Sequence, residues 1–183
     1  MGRDPGYIAA VNPDIDERVE LAAYDPRWPE WFATDAAEIQ GKLASSVLQV
    51  EHFGSTAVPG ALAKPIIDIL IALRDWPPAN RDLDALEELG YRSFGEAGVP
   101  GRWYLRRRAA HATNLSIAQP NGALWANNLA LRDYLRNHPH ATEEYGRAKQ
   151  RALADGASTL MRYSAAKAAD LQALLAAARR GHP

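Results

Sequence analysis

The 183-residue chain contains no cysteine, which excludes disulfides and thiolate zinc sites. It has no apolar run long enough to span a bilayer and no leader pattern, so a cytoplasmic protein with no membrane contact is expected. Net charge is nearly absent too: 21 Lys and Arg stand against 22 Asp and Glu. A balanced chain offers no global field for nucleic acid, so bulk nucleic-acid binding is not expected and any basic site must be local. No Walker loop, dinucleotide fingerprint or nucleophile elbow is present. What remains is enough chain to bury one full core. Its Ala and Arg usage suggests a GC-rich bacterial genome.

Residues 50–73, VEHFGSTAVPGALAKPIIDILIAL, are the most informative stretch. Val47 to Phe53 reads as a strand, which Gly54-Ser55-Thr56 breaks with one permissive residue and two hydroxyls. Ile66 to Leu73 is apolar almost throughout, as a central strand covered on both faces would be. Asp68 interrupts it. An ionised carboxylate there costs several kcal/mol, on the order of a lost buried ion pair, unless it is paired or bound to a cation. The residues leave two readings open: a structural aspartate holding Lys64, an arginine or a neighbouring loop, and a metal-binding carboxylate.

Around this centre, residues 1–18 mix Gly, Pro and Asp and read as a loosely held arm, leaving 19–183 as one domain. Trp28, Trp31, Phe32, Ile39 and Leu43 recur at helical spacing and are assigned to the core rather than to a base pocket. Asp82 to Leu89 predicts a short helix capped by Gly90, Tyr91 to Phe94 a strand, and Arg102 to Arg108 with Thr113 to Ala118 an antiparallel pair. The expected fold is therefore α/β of the α+β kind, a mixed sheet packed by helices. Alternation sends Arg102, Tyr104, Arg106 and Arg108 to one face, either as a phosphate cradle or as a solvated edge strand guarded by charge. From about residue 121 the chain reads as helical: Leu124 to Arg136, Thr142 to Leu153, and a long alanine-rich helix from Leu160 to Arg180. His138 and His140 lack metal-ligand spacing.

A Gly-Ser turn followed by a strand bearing aspartate resembles the nucleotidyltransferase superfold. More narrowly, Glu51 to Gly60 with Ala63 to Ile69 resembles the GrpB family. Tyr24-Asp25-Pro26-Arg27-Trp28, Thr113-Asn114-Leu115, Leu131 to Arg136 with His138-Pro139, and Tyr145, Lys149, Tyr163 and Lys167 extend the resemblance over roughly residues 19 to 176. It implies a nucleotidyltransferase-like sheet in which Gly54, Ser55, Thr56, Lys64, Arg106, Arg132, Lys149 and Lys167 contact a nucleotide or its phosphates. Asp68 and Glu51 would hold Mg²⁺, and Glu51 or His52 would act as base. The implied cofactors are Mg²⁺ and ATP or another nucleoside triphosphate. The implied reaction is nucleotidyl transfer to, or adenylation and ligation of, a small-molecule acceptor.

Two departures set up the alternative. The superfold usually pairs carboxylates as Asp-x-Asp, since residues two apart on a strand share a face. Here positions 66 and 70 are isoleucine and leucine, and the later strand Thr113 to Ala118 has no carboxylate. The alternative is a catalytically reduced domain that binds a nucleotide or other ligand or serves regulation. Glu51 discriminates between them by whether it stands beside Asp68.

Overall fold

Proline at the second position and five large apolar residues on one stripe drive the first helix, α1 (Trp28–Leu43). The computed structural model describes residues 13–180, so expectations for residues 1–12 lie outside the described part. After α1 come strands β1 (Val47–Phe53) and β2 (Ile66–Leu73), helix α2 (Asn80–Glu88), and strands β3 (Arg92–Ser93), β4 (Arg102–Arg108) and β5 (Ala112–Ala118). Four helices complete the described residues: α3 (Ala123–Asn137), α4 (Pro139–Ala154), α5 (Leu160–Ala166) and α6 (Ala168–Arg180).

The strands form one sheet in the order β1-β2-β5-β4-β3. Only β2 and β5 run parallel; β1, β4 and β3 join antiparallel. The sheet is thus mixed, as expected. The β-branched run of β2 sits at its centre, which is where a strand covered on both faces must go.

Alternation along β2 divides the work of the two faces. Ile67, Ile69, Ile71 and Leu73, with Leu105, Leu115 and Ile117, pack against Trp28, Ile39 and Leu43 of α1 and Leu86 of α2. Each fully buried side chain of this size contributes roughly 1.5–3 kcal/mol of transfer free energy. The core assignment of the α1 stripe holds: Trp28 is buried, while Trp31 and Phe32 stack on His111 and His52. The opposite face carries Asp68. There Leu70, Ala72 and Ala118 meet Trp125 at the start of α3, and the remaining helices continue this layer through Val58, Ala61, Leu135 and Tyr145.

Two local features depart from the sequence expectation. The helix expected from Leu160 to Arg180 is broken at Lys167, whose backbone leaves the helical region at φ −100° and ψ 6°. Its halves dock on different partners: Tyr163 of α5 packs with Val19 and Ala152, whereas Leu171 and Leu174 of α6 pack with α3 and α4. Alanine-rich sequence supplies no side chains to resist that division. Residues 13–18, expected in the loose arm, are held down: the Arg106 guanidinium donates to Asp14 O at 3.1 Å and Ile15 O at 2.9 Å. Arg108 donates to Glu17 at 2.8 Å, and Val19 N donates to Ser158 O. Among the described residues no helix is long and apolar enough to cross a membrane.

Candidate functional site

β1 ends at Gly54, which adopts φ +70° and ψ −169°, a region open in practice only to glycine. A Cβ there would stand 2.6 Å from Asp68 Oδ2, so the bare glycine lets the backbone lie directly over the aspartate carboxylate. Ser55 to Ala57 then form a single 3₁₀ turn. Beyond this turn opens a cavity of about 200 Å³ between the sheet and the C-terminal helices. Gly54, Ser55, Thr56, Lys64 and Asp68 form its floor and near wall; Arg132, Tyr145, Lys149, Tyr163 and Lys167 close it from the helices.

Asp68 stands half-buried on this wall. Its Oδ1 accepts a hydrogen bond from Asn114 Nδ2 at 2.8 Å, and Asn114 Oδ1 accepts one from Arg108 at 3.0 Å. Register explains the meeting, because Asp68, Asn114 and Arg106 occupy one row across β2, β5 and β4 and share a face. Burial pushes the Asp68 carboxyl above its ordinary range, against the opposing pull of Lys64 and Asn114.

Three lysines face that one carboxylate. Lys149, 3% exposed, donates to Ser55 Oγ at 2.6 Å and to the Leu62 carbonyl at 2.7 Å, with its Nζ 4.3 Å from the Tyr145 ring centre. Burial, reinforced by nearby Lys167, brings its ammonium down to about pKa 7. Lys167 donates to the Tyr145 hydroxyl at 3.1 Å, a reach that the helix break at this residue makes available. Burial lowers Lys167 as well, opposed by Asp68, and lowers Lys64, opposed by Asp68 and Glu17. None of the three forms a side-chain ion pair within 4 Å among the described residues. A desolvated cleft with three ammonium groups and one carboxylate is electrostatically incomplete.

The other expected site residues fall elsewhere. Glu51 lies on the same face as Asp68 but one step along the strand, opposite Leu70, and its carboxylate is engaged by Arg132 at 2.6 Å. Arg132 also binds the His52 carbonyl and Asp133, so it reaches the cleft with its donors largely committed. His52 points to the opposite face of the sheet, where it stacks on Phe32 and contacts Thr56 Oγ1 at 3.0 Å. Burial holds it down to about pKa 4, and it does not face Asp68. Arg106, on the expected face, spends its donors on Tyr104 and the arm rather than on the cleft. Arg106 and Arg108 therefore anchor residues 13–18, whereas Arg102 donates to the Glu96 and Ala97 carbonyls of the loop before β4. Asn114 has no role in the sequence expectation, because Thr113 and Ser116 on the same strand are equally polar and nothing local singles it out.

The donor set does not suit a magnesium centre. Mg²⁺ asks for hard oxygen ligands in octahedral array, commonly from paired carboxylates and phosphate. Here the cleft wall offers Asp68 alone, with one oxygen taken by Asn114 and the other under Gly54, amid three lysines. Among the described residues no three His, Cys, Asp or Glu side chains are grouped to hold a metal ion.

Residues 18–177 match the family profile described as GrpB protein. UPF0157 protein PA4798 of Pseudomonas aeruginosa is 38% identical over 144 residues, covering 73% of this chain and 57% of that protein. UPF0157 protein YqkA of Bacillus subtilis is 30% identical over 149 residues, covering 80% of this chain and 43% of that one. The chain thus spans about half the length of these two relatives. The crystal structure of conserved protein GrpB from Enterococcus faecalis superimposes with a TM-score of 0.80 at 31% identity, covering 88% of this chain and 98% of that one. The five-stranded sheet with its helical layers is the architecture of that relative, and the chain belongs to the GrpB family.

Proposed function

We infer that the cleft binds a small phosphorylated molecule, a nucleotide among the candidates, through its lysines and the Gly54-Ser55 turn, without a divalent metal. The observation carrying this reading is the imbalance of Lys64, Lys149 and Lys167 against the single carboxylate of Asp68. An anion entering the cleft would restore the charge balance and favour the charged forms of Lys64 and Lys167. Backbone at a tight Gly-Ser turn and ammonium point charges suit phosphate oxygens. At about 200 Å³ the cavity is smaller than the roughly 300–1,000 Å³ typical of sites that enclose a whole drug-sized ligand. It suits a phosphate or pyrophosphate head, with any base or acceptor held nearer the mouth. The role supported is ligand binding or regulation on a nucleotidyltransferase-like scaffold, in preference to metal-dependent nucleotidyl transfer, because the second carboxylate is bound to Arg132.

Calorimetric titration of pyrophosphate and ATP, each with Mg²⁺ and with EDTA, separates the readings. Binding that persists in EDTA and weakens at least about tenfold in Lys167→Met is expected, since one charge-assisted contact is worth about 1.5–3 kcal/mol. Binding that requires Mg²⁺ and vanishes in Asp68→Ala would return the transferase reading, and no binding by a folded protein would remove both.

A further inference from the structure

We propose that Lys149 is a carbonyl-reactive amine that forms an imine with a small anionic aldehyde or α-keto acid held in the same cleft. The proposal rests on the anion-binding reading above and adds covalent chemistry to it.

The geometry comes first. Lys149 Nζ has two oxygen partners, Ser55 Oγ and the Leu62 carbonyl, and both are neutral. A neutral amine has two hydrogens for those two acceptors and keeps a lone pair. The group lines the cavity, so that lone pair has a space in which a carbonyl carbon can approach. No carboxylate holds the nitrogen in its ammonium form: Asp68 acts on it only at longer range, and Lys167 and Lys64 oppose its charge. A lysine desolvated beside another cationic group is the environment that activates amines toward carbonyls. Its lowered proton affinity, near 7, leaves about half the residues unprotonated at neutral pH, against roughly one in 2,500 for an ordinary lysine. Lys64 and Lys167 remain to hold the substrate's carboxylate or phosphate, which fixes the carbonyl near Nζ. Tyr145 lies beneath Lys149, its ring centre 4.3 Å from Nζ.

The step balances without a further reactant. The Nζ lone pair bonds to the carbonyl carbon while the C=O π electrons move to oxygen, which takes a proton to give a carbinolamine. Loss of water then carries away the carbonyl oxygen with the two amine hydrogens, leaving C=N. The anion of the substrate stays on the neighbouring lysines throughout.

Glyoxylate with cyanoborohydride tests this on the full chain, because hydride converts the imine to a stable secondary amine readable by intact mass and peptide mapping. A single adduct on Lys149 is expected, formed at least about tenfold faster than on surface lysines, with a rate that rises through pH 7. Excess pyrophosphate should slow it by competing for the cleft. Mapping on the wild type needs no variant to fold, and Lys149→Arg, checked by circular dichroism, should lose the adduct. Label spread evenly over surface lysines, or none on Lys149 in a protein that still binds pyrophosphate, overturns the imine and leaves the anion site standing. Absence of both adduct and pyrophosphate binding overturns the two together.

Discussion

Asn114 and Asp68 sit opposite each other on the parallel pair β5 and β2, and the asparagine amide donates to the aspartate at 2.8 Å. This contact satisfies one oxygen of the lone carboxylate of the central strand. Asn114→Ala should lower stability by about 1–3 kcal/mol, the cost of leaving a half-buried carboxylate short of a donor. Urea denaturation of the single variants and the Asn114→Ala/Asp68→Asn double variant should give a coupling of at least about 0.5 kcal/mol; strict additivity would contradict a direct interaction.

Gly54→Ala meets two obstacles at once. Its φ of +70° with extended ψ is strained for any side chain, and the new Cβ would press on Asp68 Oδ2. A loss of about 1–3 kcal/mol is expected from the backbone alone, together with loss of pyrophosphate binding as the turn withdraws. A variant as stable as the wild type in urea would show that the turn adopts another conformation.

The lysines make ligand binding and stability pH-dependent in opposite directions. In the folded protein Lys149 titrates near 7, and Lys64 and Lys167 also lie below their ordinary value, whereas all three titrate near 10.4 when unfolded. Between about pH 7 and 10 the unfolded chain therefore binds more protons, and stability rises with pH. Anion affinity should fall over the same range, since the bound state needs Lys64 and Lys167 charged. Calorimetry at pH 8 in buffers of different ionisation enthalpy should register proton uptake on binding; its absence would mean the lysines are already protonated in the empty cleft.

His52 predicts acid sensitivity. Its folded pKa of about 4 lies below the unfolded value near 6.5, so the unfolded state takes up a proton first as pH falls through this window. Stability should drop by on the order of 3 kcal/mol between pH 6.5 and 4 from this residue. His52→Gln should flatten that part of the profile, measured as urea midpoints against pH.

Arg106 gives a test of what the arginine row is for. Arg106→Met removes the donors that hold Asp14 O and Ile15 O, so amide exchange at Glu17 and Val19 should accelerate and stability should fall by about 3 kcal/mol. Pyrophosphate affinity should stay within about threefold, because the guanidinium is not part of the cleft wall. A tenfold loss of affinity would reinstate it as a phosphate ligand.

Local signals made much of this legible in the sequence. Apolar runs and glycine breaks located β1, β2, β4 and β5 within a residue, and alternation grouped Arg102, Arg106 and Arg108 on one face, which the sheet register makes the face of Asp68. Residue types marked the Gly54-Ser55 turn, and the family resemblance pointed to the lysines of the cleft. What local pattern cannot carry is partnership across distance. Glu51 and His52 are adjacent in sequence, yet the strand sends them to opposite faces, one to Arg132 and the other to Phe32. Arg106 has the chemistry of a phosphate ligand and is occupied by backbone carbonyls about 90 residues away in the chain. The helix break at Lys167 was likewise invisible, because uniform alanine records nothing of the two surfaces on which its halves dock.

The parallel pairing of β2 with β5 has a kinetic corollary. Sequence-adjacent hairpins can form early, but this ladder joins Ile66 to Ala112 and closes a long loop before any of its contacts are rewarded. Asp68 and Asn114 lie on that ladder, so the carboxylate finds its amide only when the slowest class of contact is made. Recovery of ligand binding during refolding therefore reports completion of the sheet rather than collapse of the chain.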